Sequence, residues 1–191
     1  MRAAIGIRDH SGWAAAVVVA GDPAVPVVLQ RRRLSLLEPG MAAEPYHAVA
    51  AVPVELANAR LRESYESALR CARDEIRLAV ADLKATGHEV VAMGGGVSAS
   101  PVRLPLERIL KAHPLLHASE GELFRDALAE AAESLGLNVR RFPWKEIWPQ
   151  LQAELGIDAR ERAHALGANL GPPWAADQKE AAAAAWLALL S

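Results

Sequence analysis

The chain has 191 residues, of which 52% are hydrophobic and 23% charged, close to ordinary globular usage and enough to bury one sizeable core. Lys plus Arg is 21 and Asp plus Glu is 23, a formal net charge of -2, so no global basic excess demands a nucleic-acid partner, although basic residues can still cluster on one face. The lone cysteine, Cys71, excludes a disulfide framework within the chain and argues against a cysteine-based zinc site.

Ala3 to Ile7 reads as a strand, followed by the turn-like Asp9-His10-Ser11-Gly12. Valine-rich Trp13 to Ala20 is a second strand, and Gly21-Asp22-Pro23 a turn. Val27 to Leu37 is a third, and the short connections imply an antiparallel meander. Glu38 to Pro53 reads as a loop holding Tyr46-His47. A long helix is predicted from about Val54 to Lys84, because Leu61, Tyr65, Leu69, Ala72, Ile76, Val80 and Leu83 recur every three or four residues. Gly87 ends it.

Glu89 to Met93 is a short buried strand that runs into Gly94-Gly95-Gly96, read as a strand-end turn needing positive φ. Leu104 to Ala112 and His117 to Leu135 are helical, the second ended by Gly136. Asn138 to Phe142 is a fifth strand. Trp144 to Leu155, Ala159 to Leu170 and Ala175 to Leu190 are helices, with Gly171-Pro172-Pro173 breaking the chain before the last. A meander followed by strands alternating with helices implies a mixed sheet covered by helices, with no linker that would split residues 1–191 into two domains. The N-terminus lacks the apolar run of a signal peptide and no segment is long enough to span a membrane, so a cytoplasmic protein is the expectation.

Two segments carry a resemblance. Ile5-Gly6-Ile7-Arg8-Asp9 resembles the hydrophobic-Gly-hydrophobic-Asp end of the first strand in RuvC-type resolvases, with Arg8 as an extra residue before the acid. Ala176-Asp177-Gln178-Lys179-Glu180-Ala181-Ala182 resembles the start of their last helix, where two acids three apart precede an alanine-rich run. Acids so spaced share a helix face. The resemblance implies an α/β, RNase H-like fold: a mixed five-stranded sheet, three strands in an antiparallel meander plus two more, flanked by helices. It further implies that Asp9, Asp177 and Glu180 converge to hold Mg²⁺ or Mn²⁺ for phosphodiester hydrolysis on DNA or RNA, and that the protein works as a homodimer.

The family's further acid, at the end of the fourth strand, is absent from Met93-Gly94-Gly95-Gly96. Glu120, Glu63 and Glu66 are the substitutes on offer; without one, the alternative is a non-catalytic relative used for binding or assembly, its acids splayed apart or neutralised by Arg8 or Lys179. A sugar-kinase-like nucleotide-binding half is a weaker third reading, because Asp9-His10-Ser11-Gly12 is one residue too long for an Asp-x-Gly phosphate turn.

Ordinary structural roles compete at each position. Asp suits turns, first-turn acids meet the helix dipole, and Ser100 and Ser119 could be caps. His117 and Glu120, three apart, suit a surface pair or a ligand pair. His10, beside Asp9, is better placed for a site than His47. Arg31, Arg32 and Arg33 alternate sides along a strand and so cannot form one face together. Trp13, Trp144, Trp148, Trp174 and Trp186 read as packing anchors.

Overall fold

The computed structural model describes residues 1–98, 102–156, 158–168 and 170–190; Ser100 lies outside them. Strands β1 (Arg2–His10), β2 (Trp13–Ala20) and β3 (Val27–Ser35) form the expected antiparallel meander. Strands β4 (Glu89–Val97) and β5 (Asn138–Pro143) join it in parallel beside β1, giving one mixed five-stranded sheet ordered β3-β2-β1-β4-β5. The α/β architecture expected from the sequence is therefore the one observed.

Helices cover both faces. On one face lie α2 (Val54–Ala85) and α4 (His113–Ser134), packed on Ala3, Ile5 and Ile7 of β1. The periodic stripe of α2 supplies Ala68, Ala72, Ile76, Ala79 and Leu83 to this core. On the other face α7 (Ala176–Leu189) lies on Ala4, Val17, Val19 and Ala92. Its outer side is covered by α5 (Ile147–Leu155) and α6 (Ala159–Leu166), so Ala181 to Leu189 are all buried. A helix covered on every side has no use for a polar stripe, and alanine keeps it thin enough to fit between two layers. Trp186 within it is fully buried and donates its indole N–H to the Pro23 carbonyl at 2.9 Å.

Three readings of the sequence need correction. The glycine triplet is not a turn: Gly94, Gly95 and Gly96 continue β4, and none has positive φ. Missing side chains, not backbone freedom, explain the residue choice at Gly94 and Gly96. A Cβ on Gly94 would lie 2.1 Å from the Ala184 carbonyl oxygen, and one on Gly96 would lie 2.0 Å from the Trp144 indole. Gly6 of β1 is the same case, its Cβ falling 1.7 Å from the Ala181 carbonyl oxygen. The predicted loop before α2 contains a short helix, α1 (Pro45–Ala48). The long helix predicted from His117 starts at His113, with Pro114 in its first turn, where a missing N–H costs nothing. Of the predicted helix Leu104 to Ala112, Leu106–Ile109 (α3) is helical.

The adjacent glycines provide a test. Gly94→Ala must push α7 off the sheet and is expected to cost at least ~3 kcal/mol, the upper end of core overpacking. Gly95→Ala meets only the Ile7 Cβ at 4.0 Å and should stay within about 1 kcal/mol of the parent in urea denaturation. Equal losses would show that α7 is not seated on the backbone at Gly94.

Candidate functional site

The end of β1 is where the sequence placed the site, and strand alternation decides what stands there. Ala3, Ile5 and Ile7 face α2 and α4, while Ala4 and Gly6 face α7. Continuing that period of two, Arg8 and His10 face α7 and Asp9 faces α4. The extra residue Arg8 therefore turns the acid to the opposite face from Asp177 and Glu180.

Each acid has a cationic or imidazole neighbour. Asp9 is buried, and its Oδ2 accepts from Arg125 Nη1 of α4 at 2.9 Å. Arg8 is in ion-pair contact with Glu180 (Nε to Oε2, 2.7 Å), and its Nη1 stands 4.0 Å from Asp9 Oδ1. His10 Nε2 lies 3.1 Å from Asp177 Oδ2. The Arg8 guanidinium thus stands between Asp9 and Glu180, where the resemblance implies a metal ion held by both acids.

The place of the missing fourth-strand acid is also filled. Trp144 covers Gly96, and the Arg8 guanidinium lies over the Trp144 ring at 4.4 Å. None of the proposed substitutes reaches this side. Glu63 and Glu66 are exposed on α2, across the sheet, and Glu120 is fully buried in α4. Asp9, Asp177, Glu180 and Glu120 are not gathered into one metal-binding set. The donor set does not fit the Mg²⁺ or Mn²⁺ pair: hard cations need several free oxygens on one side, and these oxygens face arginine or histidine.

The α7 face carries aromatic and cationic groups instead. Cross-strand partners His10 and Trp13 stack with ring centroids 4.2 Å apart. Arg33, exposed on β3, lies over Trp13 at 3.6 Å with no carboxylate partner among the described residues. Arg31 shares this side and is used structurally, donating to the carbonyls of Leu170 at 2.6 Å and Gly171 at 2.8 Å ahead of α7. Arg32 points the other way, to Asp82 of α2. The expected alternation of the three arginines is what the strand does. Trp13 is half-buried and packs against both the His10 ring and the Arg33 guanidinium.

Glu120 belongs to a second cluster. His47 of α1 gives it both a backbone N–H at 3.1 Å and its ring Nδ1 at 2.8 Å, each to Oε1. Glu120 Oε2 stands 3.6 Å from His117 Nδ1 and has no hydrogen bond. His113 completes the group. Nearby, burial first and then Glu122, Glu120 and Asp126 push the Tyr46 hydroxyl above its ordinary pKa. The sequence pairs His117 with Glu120, leaves His47 separate from them and does not single out His113; the His-Pro step at a helix start is the available signal. Ser119 is buried inside α4 and caps nothing. Cys71 offers no nucleophile, because burial and then Glu38 raise its thiol pKa.

No protein-family model matches this sequence, and no curated protein matches it. Solved structures do match in fold. The chain has the RNase H-like fold of the RuvC type. Thermus thermophilus RuvC in complex with a Holliday junction substrate aligns with a TM-score of 0.58 at 13% identity, over 97% of this chain and 91% of that one. A second Thermus thermophilus RuvC structure aligns with a TM-score of 0.56 at 11% identity, over 96% and 90%. At such identity the likeness is one of fold alone. Among the described residues, no helix is long and apolar enough to cross a membrane.

The Asp9–Arg125 pair joins β1 to α4 in a largely dry place, so removing one partner leaves an uncompensated buried charge. Arg125→Ala should lower stability by about 3 kcal/mol. The Asp9→Ala, Arg125→Ala double variant should be no less stable than Arg125→Ala alone, a strongly non-additive cycle. Additive losses in chemical denaturation would show that the two side chains act independently.

Proposed function

We propose that this protein is an RNase H-like nucleic-acid-binding module whose strand-end carboxylates work in ion pairs rather than in metal-dependent cleavage. One observation carries the reading: the α7 face at the end of β1 bears two guanidinium-on-indole stacks, Arg8 on Trp144 and Arg33 on Trp13, where a metal-ion nuclease needs free carboxylates. A planar cation on an aromatic ring is a surface to which a phosphate and a base can both attach. Arg33 supplies the charge, and Trp13, with His10 against it, supplies a platform at the sheet margin. The fold it shares with a resolvase bound to a Holliday junction supports the same reading and makes branched DNA the first ligand to try. On this reading residues 1–191 act as one domain.

The metal-dependent nuclease is the second reading. It is favoured by the RuvC-type fold and by the two acids that open α7, Asp177 and Glu180, half-buried on one face. For it to operate, Arg8 and His10 must leave these carboxylates when metal and substrate arrive.

Fluorescence anisotropy with a four-way junction, an RNA–DNA hybrid and a single strand separates the two. Binding that weakens steeply with salt is expected, with no cleavage of any of the three in Mg²⁺ or Mn²⁺. Trp13→Ala and Arg33→Ala should each weaken binding by roughly tenfold, as loss of one stacked contact implies. Affinities weaker than ~100 μM for all three ligands, the weak end of non-specific binding, would overturn the proposal. Metal-dependent cleavage abolished by Asp177→Asn would establish the nuclease instead.

A further inference from the structure

We propose that His47, His113 and His117 form a binding site for a single Zn²⁺-class transition-metal ion, with Glu120 as the buried carboxylate that orients two of the rings. The site lies on the α1–α4 side, away from the acids of α7, and does not depend on the nucleic-acid reading.

The cluster is assembled from two directions. His113 and His117 are one turn apart and project from the same side of α4. His47 is brought in by α1. The three rings lie 4.5 to 5.1 Å apart between centroids and meet at steep angles of 51°, 75° and 83°. One ligand nitrogen can be taken from each so that all three lie within 4.8 Å of one another. Nitrogens on a tetrahedral zinc, each about 2.0–2.1 Å from the metal, stand about 3.4 Å apart, so ring rotations of about 1 Å would close the set. His113 and His117 are exposed and free to make that adjustment. The same exposure leaves the fourth position to water.

Glu120 is the second observation. It is a fully buried carboxylate on a helix, and its Oε2 has no hydrogen-bond partner. A buried, unsatisfied oxygen is costly unless something nearby requires it. Its Oε1 holds the Nδ1 edge of His47 at 2.8 Å, which leaves Nε2 as that ring's free ligand atom. Its Oε2 faces the Nδ1 edge of His117 at 3.6 Å. One carboxylate reaching the non-ligating nitrogens of two imidazoles is the carboxylate–histidine–metal relay that fixes tautomers and raises ligand basicity. A ligand-bearing ring turning its N–H towards Oε2 would satisfy the orphaned oxygen. Three imidazoles select zinc, cobalt, nickel or copper over magnesium and calcium, which prefer oxygen.

Cobalt titration of the full chain tests this, because tetrahedral Co²⁺ absorbs strongly in the visible while hydrated Co²⁺ barely does. One equivalent should bind with that spectrum, be displaced by Zn²⁺ and be unaffected by millimolar Mg²⁺. His113→Ala alters an exposed ring, so its far-UV circular dichroism should match the parent while the cobalt spectrum disappears. Glu120→Gln should weaken Co²⁺ binding by about 10–100-fold, the usual loss when an orienting carboxylate is removed. If the Glu120 variant unfolds, His117→Ala replaces it and must also lose the spectrum. Absence of a tetrahedral spectrum in the parent would overturn the proposal. So would cobalt binding that survives His113→Ala and His117→Ala, binding that Mg²⁺ displaces, or binding lost in Asp177→Asn with the histidines intact.

Discussion

The seating of α7 on bare backbone at Gly6 and Gly94 is the contact on which the rest of the molecule depends. A helix can come this close to a sheet only where the strands present no Cβ, and β1 and β4 each provide one such residue at the same level. That approach lets a helix of five consecutive alanines be buried between the sheet and α5 and α6. It also fixes the facing of β1. With Gly6 under α7, position 8 must face α7 and position 9 must face α4, because alternation in a strand leaves no other arrangement.

The electrostatics follow from that facing. Asp9 is directed into a largely dry space, where the Arg125 guanidinium satisfies one oxygen and Arg8 is the charge nearest the other. Arg8, on the α7 side, meets Glu180. Arg31 holds the segment ahead of α7, so guanidinium groups connect the sheet to the elements on both faces. A two-metal site works in the opposite way, since it concentrates unpaired negative charge and relies on the ions to offset the repulsion. Here the offset comes from side chains built into the fold. Removing Arg125 would leave the buried Asp9 carboxylate uncompensated rather than uncover a prepared cation site.

Most of the architecture was legible in the sequence because hydrophobic periodicity and turn residues are local signals. The meander, α2, the two parallel strands and the alanine-rich last helix all follow from them. The facing of Asp9 was also legible, but only by taking strand parity strictly. Treating Arg8 as a neutral insertion keeps the acid near the right place along the chain and puts it on the wrong side of the sheet. The glycine triplet misled for a related reason. Glycine marks either unusual φ or close approach, and sequence alone does not say which. Glu120 and His47 are 73 positions apart, and only the packing of α1 on α4 brings them together. No local pattern encodes that meeting, whereas the His113–His117 spacing is visible once the helix is started at His113.

Two chemistries therefore occupy opposite sides of one sheet. The α7 side sets guanidinium groups over indoles, Arg8 on Trp144 and Arg33 on Trp13, beside the acids that open α7. The α1–α4 side gathers nitrogen donors around a buried carboxylate and suits a small, borderline-soft ion better than a polymer. The sheet between them is filled by Ile5, Ile7 and Met93 on one side and by the α7 backbone on the other. An ion held by the histidines would therefore be screened from the α7 acids by packed core and could not stand in for the metal pair of a RuvC-type centre. Resemblance in fold and dissimilarity in site are compatible here because the fold depends on where glycine and alanine lie, while the site depends on which way one strand residue faces.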